Sequence, residues 1–378
     1  MSVAVASSPS LETAAAGAVL TIDLAAIGAN YRLLQSHSRP ALCGAVVKAD
    51  AYGLGAARVA PALSAAGCRH FFVAHLDEGV ALRRCLHADI SIYIMHGVFP
   101  GGETLCLAHD LIPVSNSPAQ LARWAALARA SGRRLPAVLQ VDTGMARFGF
   151  SETDIVNLAD DDLRPLTLRF VMSHLACADT PEHPANTEQR ARFDNLRARL
   201  PSAPATLAAS SGSFLDPVFH YDLVRPGAAL YGVAPTAGLP NPLSPVIRLD
   251  AKIVQLRDVP AGTPIGYGHS VRTLAPARLA TIAVGYADGY LRSGSNGGAA
   301  WFGDIALPIM GRISMDSIIL DASAAPAGAL GEGSFVELIG PHRDVDAVAA
   351  DAGTIGYEVL TSLGRRYHRR YLSEASSV

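Results

Sequence analysis

Apolar residues along this chain come in two textures. From about Ile22 to Gly232, short apolar runs alternate with longer stretches in which apolar residues recur every three to four positions. The short runs read as strands, and the longer period reads as helices with one buried face. The pattern predicts strands near Cys43–Lys48, Phe71–His75, Ile92–His96, Leu111–Ser115, Ala137–Asp142, Leu168–Ser173, Ala205–Ala209 and Leu223–Tyr231. It predicts helices over Ala57–Ala66, Asp77–Leu86, Pro118–Ala130 and Thr187–Leu200. Strands alternating with helices imply a parallel sheet. Eight such strands, the number read here, close a TIM-like (β/α)8 barrel.

After about Pro240 the helical period fades. Short runs rich in Val, Ile and Leu now alternate with Gly/Pro turns: Pro245–Leu256, Arg278–Val284, Ile305–Ile309, Ser317–Leu320 and Ser334–Ile339. That texture predicts a mostly antiparallel β domain, joined through a linker near Gly238–Pro242. The fold class is therefore α/β, an N-terminal barrel followed by a C-terminal mostly-β domain. Residues 1–16 read as a disordered tail, 17–240 as the barrel and 241–378 as the β domain.

Composition narrows the class. A chain of 378 residues, 50% of them hydrophobic, is ample for two buried cores. With a formal net charge of -2 and 17% charged residues, it has no broad basic surface for nucleic acid. The most basic stretch, Arg365–Arg370, reads as a solvated terminal element. The N-terminus has no Lys or Arg before Arg32, so it lacks the positive region of a secretory signal. No apolar run approaches the ~20 residues that span a bilayer. The five cysteines are an odd number without a CxxC, which points to reduced thiols in the cytoplasm rather than a disulfide or zinc framework. The twelve histidines show no HExxH spacing, so no metal is expected.

In a barrel of this kind, chemistry gathers at the C-terminal ends of the strands. Lys48, Arg147, His174, Ser211 and Arg225 all fall there. A lysine at the buried end of an apolar strand is costly unless paired or covalently used. A Schiff base to an aldehyde cofactor removes that cost. Snorkelling of the side chain to the strand end explains Lys48 equally well on the strand alone.

The longer strings separate the two. VVKADAYGLG (Val46–Gly55) resembles the pyridoxal-phosphate attachment site of alanine racemases. VDTGMARFGF (Val141–Phe150), SHLACAD (Ser173–Asp179), ASSGS (Ala209–Ser213) and VRPGAALYG (Val224–Gly232) follow in that family's order. IGYGHS (Ile265–Ser270), VGYADGY (Val284–Tyr290), GRISMDS (Gly311–Ser317) and GYEVLTSLGRR (Gly356–Arg366) complete it. The resemblance spans nearly the whole chain beyond the N-terminal tail.

The resemblance implies an isomerase that interconverts L- and D-alanine on pyridoxal 5'-phosphate, to supply D-alanine for peptidoglycan or to degrade it. Lys48 carries the cofactor as a Schiff base and is one catalytic base; Tyr267 is the other. Racemisation removes an α-proton from one face and returns one to the other, so two acid/base groups must flank the carbon. A free tyrosine ionises only near pH ~10, so a tyrosine base needs cationic or hydrogen-bonding help. Arg225 faces the pyridine nitrogen; because an arginine stays protonated, the cofactor is a weaker electron sink than with an acidic partner. His174 supports that arginine. Tyr52, Ser210, Ser211, the backbone of Gly227 and Ala228, and Tyr357 form the phosphate cradle. Arg147 lies near the cofactor's phenolic oxygen and the substrate carboxylate. Met315 binds substrate through its backbone NH beside Asp316, and Tyr286 narrows the entry. The family's second-domain tyrosine and methionine enter the partner subunit's site, which implies a homodimer with shared sites.

Two positions depart from the family's pattern. Gln140 stands where many members have a carbamylated lysine. A direct hydrogen bond donated by Arg147 to the Gln140 amide oxygen is the simplest substitute, and a bound anion near both side chains is the second. Ser210 stands where many have asparagine. A serine-preferring or broad-specificity racemase, a fold-related decarboxylase, and a non-catalytic pyridoxal-phosphate carrier remain the alternative readings. The last two fit poorly with the GYADG and SMD strings and with Tyr267, respectively.

Overall fold

A computed structural model describes residues 15–373. Most of the predicted tail, residues 1–14, lies outside the described residues. The chain forms two compact units: Ala25–Ser244, and the segment up to Leu24 together with Pro245 onward.

The first unit is a parallel barrel. Ala45–Val46 pairs with His70–Val73, and the sheet continues through Ser91–Ile94, Ile112–Ser115, Leu135–Gln140, Leu166–Met172 and Ala205–Thr206. Leu223–Val224 closes the circle. It pairs in parallel with Leu42–Cys43 on one side. On the other side, Asp222 N donates to Ala205 O at 3.0 Å and Arg225 N donates to Ala208 O at 2.9 Å. Leu42–Cys43 and Ala45–Val46 are one strand interrupted at Gly44. A Cβ at Gly44 would stand 2.9 Å from the Phe72 ring, so the neighbouring strand can approach only a glycine.

The strands are buried on both faces, as a barrel clad in helices requires. Phe71, Phe72, Tyr93, Ile94, Val138 and Leu139 are fully buried, each side chain contributing about 1.5–3 kcal/mol of apolar burial. The predicted strand Leu223–Tyr231 is strand only over Leu223–Val224, and a 3-10 turn occupies Ala228–Tyr231. Pro226 lacks the N–H that a ladder needs. A helix over Leu24–His37 was not predicted; it buries Ile27, Tyr31 and Leu34 along one face.

The second unit is organised on the strand Ile247–Val259. This strand pairs antiparallel with Ala18–Asp23, Ala277–Ile282 and Phe335–Ile339. Ala18–Asp23 also pairs in parallel with His368–Leu372. This moves the expected boundary: residues 18–24 belong with the β unit rather than with the barrel, because the ladder partners of this strand lie at residues 247–251 and 368–372. The basic stretch Arg365–Arg370 runs into that terminal strand. Among the described residues, no helix is long and apolar enough to cross a membrane.

Candidate active site

The loop after the first barrel strand is built against conformational preference. Ala49, Asp50, Ala51 and Tyr52 have φ of 53°, 55°, 55° and 54°. Four successive left-handed non-glycine residues cost roughly 1–2 kcal/mol each, so other contacts must offset several kcal/mol. Glu78 supplies part of them. Its Oε1 accepts Ala49 N at 2.6 Å, and its Oε2 accepts Ala74 N at 2.8 Å and His75 N at 2.9 Å. Asp50 Oδ1 accepts Ala56 N at 2.7 Å. The turn sets Lys48 at the strand end and Tyr52 four residues on. The Tyr52 ring packs on Tyr231, 4.8 Å between centroids, and Tyr231 Oη donates to Val46 O at 3.1 Å.

Cations converge at this mouth. Burial lowers the Lys48 amine from its ordinary value; Arg147 and Arg225 lower it further, while Glu78 opposes them. Arg225 is buried, and loss of hydration lowers it to about 10, so it remains a cation at neutral pH. Its Nε donates to Thr206 Oγ1 at 2.9 Å, and its Nη2 donates to Ser173 O and Leu207 O. Among the described residues, Nη1 has no acceptor. His174 was expected to support this arginine, but the guanidinium's hydrogen bonds go to Thr206 and two carbonyls instead. Loss of hydration first, then Arg225, Arg147 and Lys48, hold the His174 ring down to about 3, which keeps it neutral.

The loop after the last strand forms a narrow cradle. Ser210 Oγ accepts Gly227 N at 2.9 Å and Ala229 N at 3.2 Å. The Gly227 N–H, expected to face a phosphate, is thus directed to Ser210, and Ser210 shapes the loop. A Cβ at Gly227 would stand 2.3 Å from Tyr52 Oη, so only glycine lets this backbone reach the tyrosine hydroxyl. Ser211 opens the 3-10 turn Ser211–Phe214 beside it.

Gln140 is 8% exposed, and its amide has no hydrogen-bond partner among the described residues. The expected bond to Arg147 is therefore absent. Arg147 instead lies over the Phe148 ring at 5.5 Å, and Phe148 packs against His96 at 5.2 Å between centroids.

The second unit carries the remaining candidates on neighbouring turns. Tyr267 begins the turn Tyr267–His269, between Gly266 at φ 61° and Gly268 at φ 71°. A Cβ at Gly268 would meet the Arg312 guanidinium at 3.1 Å, so this turn lies against the segment that leads to Met315. Tyr286 N donates to Ser314 O at 3.0 Å, and Ala287 N donates to Met315 O at 2.9 Å. Tyr267, Met315 and Tyr286 are 68%, 53% and 40% exposed. Tyr357 stands on the helix Gly356–Ser362 of the same unit. Thr206 and Glu78 escaped the sequence reading. Their signals were weak: an inward position on a strand, and an acidic residue three places after a strand end.

A family model described as alanine racemase, N-terminal domain, matches residues 22–235, and one described as alanine racemase, C-terminal domain, matches 246–371. The chain is 55% identical to the catabolic alanine racemase of Mesorhizobium japonicum, over 95% of this chain and 94% of that one. It is 49% identical to the alanine racemase of Brucella suis biovar 1, over 95% and 94%. The alanine racemase of Bartonella henselae, solved with covalently bound pyridoxal phosphate, superposes with a TM-score of 0.91 at 43% identity, covering 94% of this chain and all of that one. On these matches and this architecture, the chain belongs to the alanine racemase family.

Proposed function

We propose that this protein interconverts L- and D-alanine with pyridoxal 5'-phosphate as cofactor. The carrying observation is the barrel mouth, where the strained turn held by Glu78 sets Lys48 at the strand end near the buried Arg225 cation, and burial and that cation lower its amine. A lowered amine has a larger neutral fraction, and only the neutral amine can attack an aldehyde or accept a proton.

The residues present suit the cofactor. Arg225 Nη1 is a donor from a buried cation, matched to a ring nitrogen. Gly227 lets the Tyr52 hydroxyl close on this loop, where any Cβ would collide with it, so a hydroxyl donor stands beside the backbone proposed for the phosphate. Tyr52, Ser211, Ala228 and Tyr357 are the proposed phosphate ligands, and Ser210 and Gly227 form their scaffold. When bound, pyridoxal phosphate withdraws electrons from the amino acid and so acidifies its α-hydrogen.

Lys48 holds or moves a proton on one face, and Tyr267 does so on the other. Neutral His174 adds no charge beside Arg225. Arg147 and the Met315 backbone orient the substrate carboxylate, and Tyr286 narrows the approach. The high exposure of Tyr267, Met315 and Tyr286 supports a homodimer in which these residues complete the partner subunit's site. The five free cysteines, three of them buried, suit a reducing compartment, and the cytoplasm is the compartment proposed. Borohydride treatment of the holoenzyme followed by peptide mapping is expected to leave the cofactor on Lys48. Recovery of the label on Lys252 instead would sink the assignment.

A further inference from the structure

One arginine of the second unit is bonded to two loops at once. Arg366 Nε lies 3.1 Å from Asp288 Oδ1, and its Nη1 donates to Asp316 Oδ1 at 2.7 Å. Asp288 ends the turn Tyr286–Asp288, and Asp316 directly follows Met315. The two carboxylates therefore mark the loops that carry Tyr286 and Met315.

The base of this arrangement is buried and closely bonded. The Asp288 side chain is 5% exposed, and its Oδ2 accepts Gly285 N at 2.9 Å. Gly364 N donates to Asp288 O at 2.9 Å, which ties the chain just before Arg366 to the same turn. A Cβ at Gly289 would lie 1.8 Å from Ser362 O, so the two segments touch backbone to backbone. The far end is more open to solvent at its side chain, although its backbone already rests on the Tyr286 turn. Asp316 is 60% exposed at its side chain, and the Ser314–Met315 backbone is joined to the Tyr286 turn by two hydrogen bonds.

We propose that Arg366 is a positioning residue, a staple that fixes the Met315–Asp316 loop to the buried Asp288 turn and so sets where Met315 and Tyr286 meet the substrate. The inference rests on the proposed function for the roles of Met315 and Tyr286. The staple itself rests on the ion-pair geometry alone. The Arg366–Asp316 pair, exposed at both side chains, adds little to global stability, whereas a small displacement of a substrate-orienting group lowers catalytic efficiency steeply.

The test compares wild type with Arg366→Gln, Arg366→Lys and Asp316→Asn in the full-length holoenzyme. Amide exchange at Tyr286 and Ala287, whose N–H groups bridge the two loops, is expected to quicken in Arg366→Gln. The KM for alanine should rise about tenfold with kcat within about twofold; the melting temperature should fall in Arg366→Gln, where buried Asp288 loses its charge partner, and stay nearly unchanged in Asp316→Asn. Arg366→Lys should recover only part of this, because an ammonium does not reproduce the two-pronged geometry. Asp316→Asn should raise KM too, and adding it to Arg366→Gln should raise KM little further. Added salt should raise KM in wild type more than in Arg366→Gln. Unchanged amide exchange overturns the staple. Faster exchange with unchanged KM overturns its role in substrate positioning. A wild-type enzyme that does not racemise alanine overturns the function and with it that role, while the exchange measurement still judges the staple.

Discussion

The barrel mouth and the exposed turns of the β unit hold their functional groups by opposite means. At the mouth, Lys48 and Arg225 are fixed by burial and by a strained turn that Glu78 and Asp50 stabilise. Such groups arrive with altered proton affinity before any ligand binds. On the β unit, Tyr267, Met315 and Tyr286 stand out in solvent on glycine-flanked or backbone-paired turns. In the proposed dimer, their chemistry comes from what they meet on assembly. The first region suits a cofactor, and the second suits the partner subunit of the proposed homodimer.

Substitutions should separate the two regions. Lys48→Ala is expected to abolish racemisation in both directions, since it removes both the attachment point and a base. Tyr267→Phe should keep cofactor absorbance but lose about 10²–10⁴-fold in turnover, the usual contribution of a general acid or base. Wild-type rates in Tyr267→Phe would break the comparison at its strongest point. Gly227→Ala should weaken cofactor retention far more than it slows the loaded enzyme, because its Cβ would displace the Tyr52 hydroxyl. Titration of the apoenzyme with cofactor reads this directly, and equal affinity would remove the cradle from the account. The smallest effect is expected at Gln140→Ala. The amide has no partner among the described residues, so KM for alanine should move by less than about threefold, or under ~0.7 kcal/mol. A larger rise would show that substrate or an anion recruits this residue to Arg147.

Much of the barrel was legible in the sequence because parallel strands buried on both faces leave continuous apolar runs, such as Phe71–Val73 and Ile92–Ile94. Lys48 stood out as a charge where such a run ends. The first strand was not legible in its role. Ala18–Asp23 pairs with residues more than two hundred positions away, and nothing local marks which sheet it joins. The helix Leu24–His37 was readable from the spacing of Ile27, Tyr31 and Leu34, yet its alanines diluted the signal. The partners of Arg225 were hidden for another reason: Thr206 and the Ser173 and Leu207 carbonyls meet it only once the barrel closes. A resemblance names a residue such as His174 without giving its bonds, and the Gln140–Arg147 contact, expected from charge alone, is absent because Arg147 lies over Phe148 instead. Arg366 lay inside a basic stretch that looked merely solvated, and only the two aspartates facing it give it a task.

In the proposed dimer, a working site takes the mouth of one subunit and the turns of another. Inactive Lys48→Ala and inactive Tyr267→Phe homodimers, mixed and allowed to exchange subunits, measure it most directly. Activity is expected to return, because each hybrid dimer holds one site with both proposed bases intact. No recovery, after subunit exchange has been verified by mass or label, would mean that Lys48 and Tyr267 do not act across a shared interface.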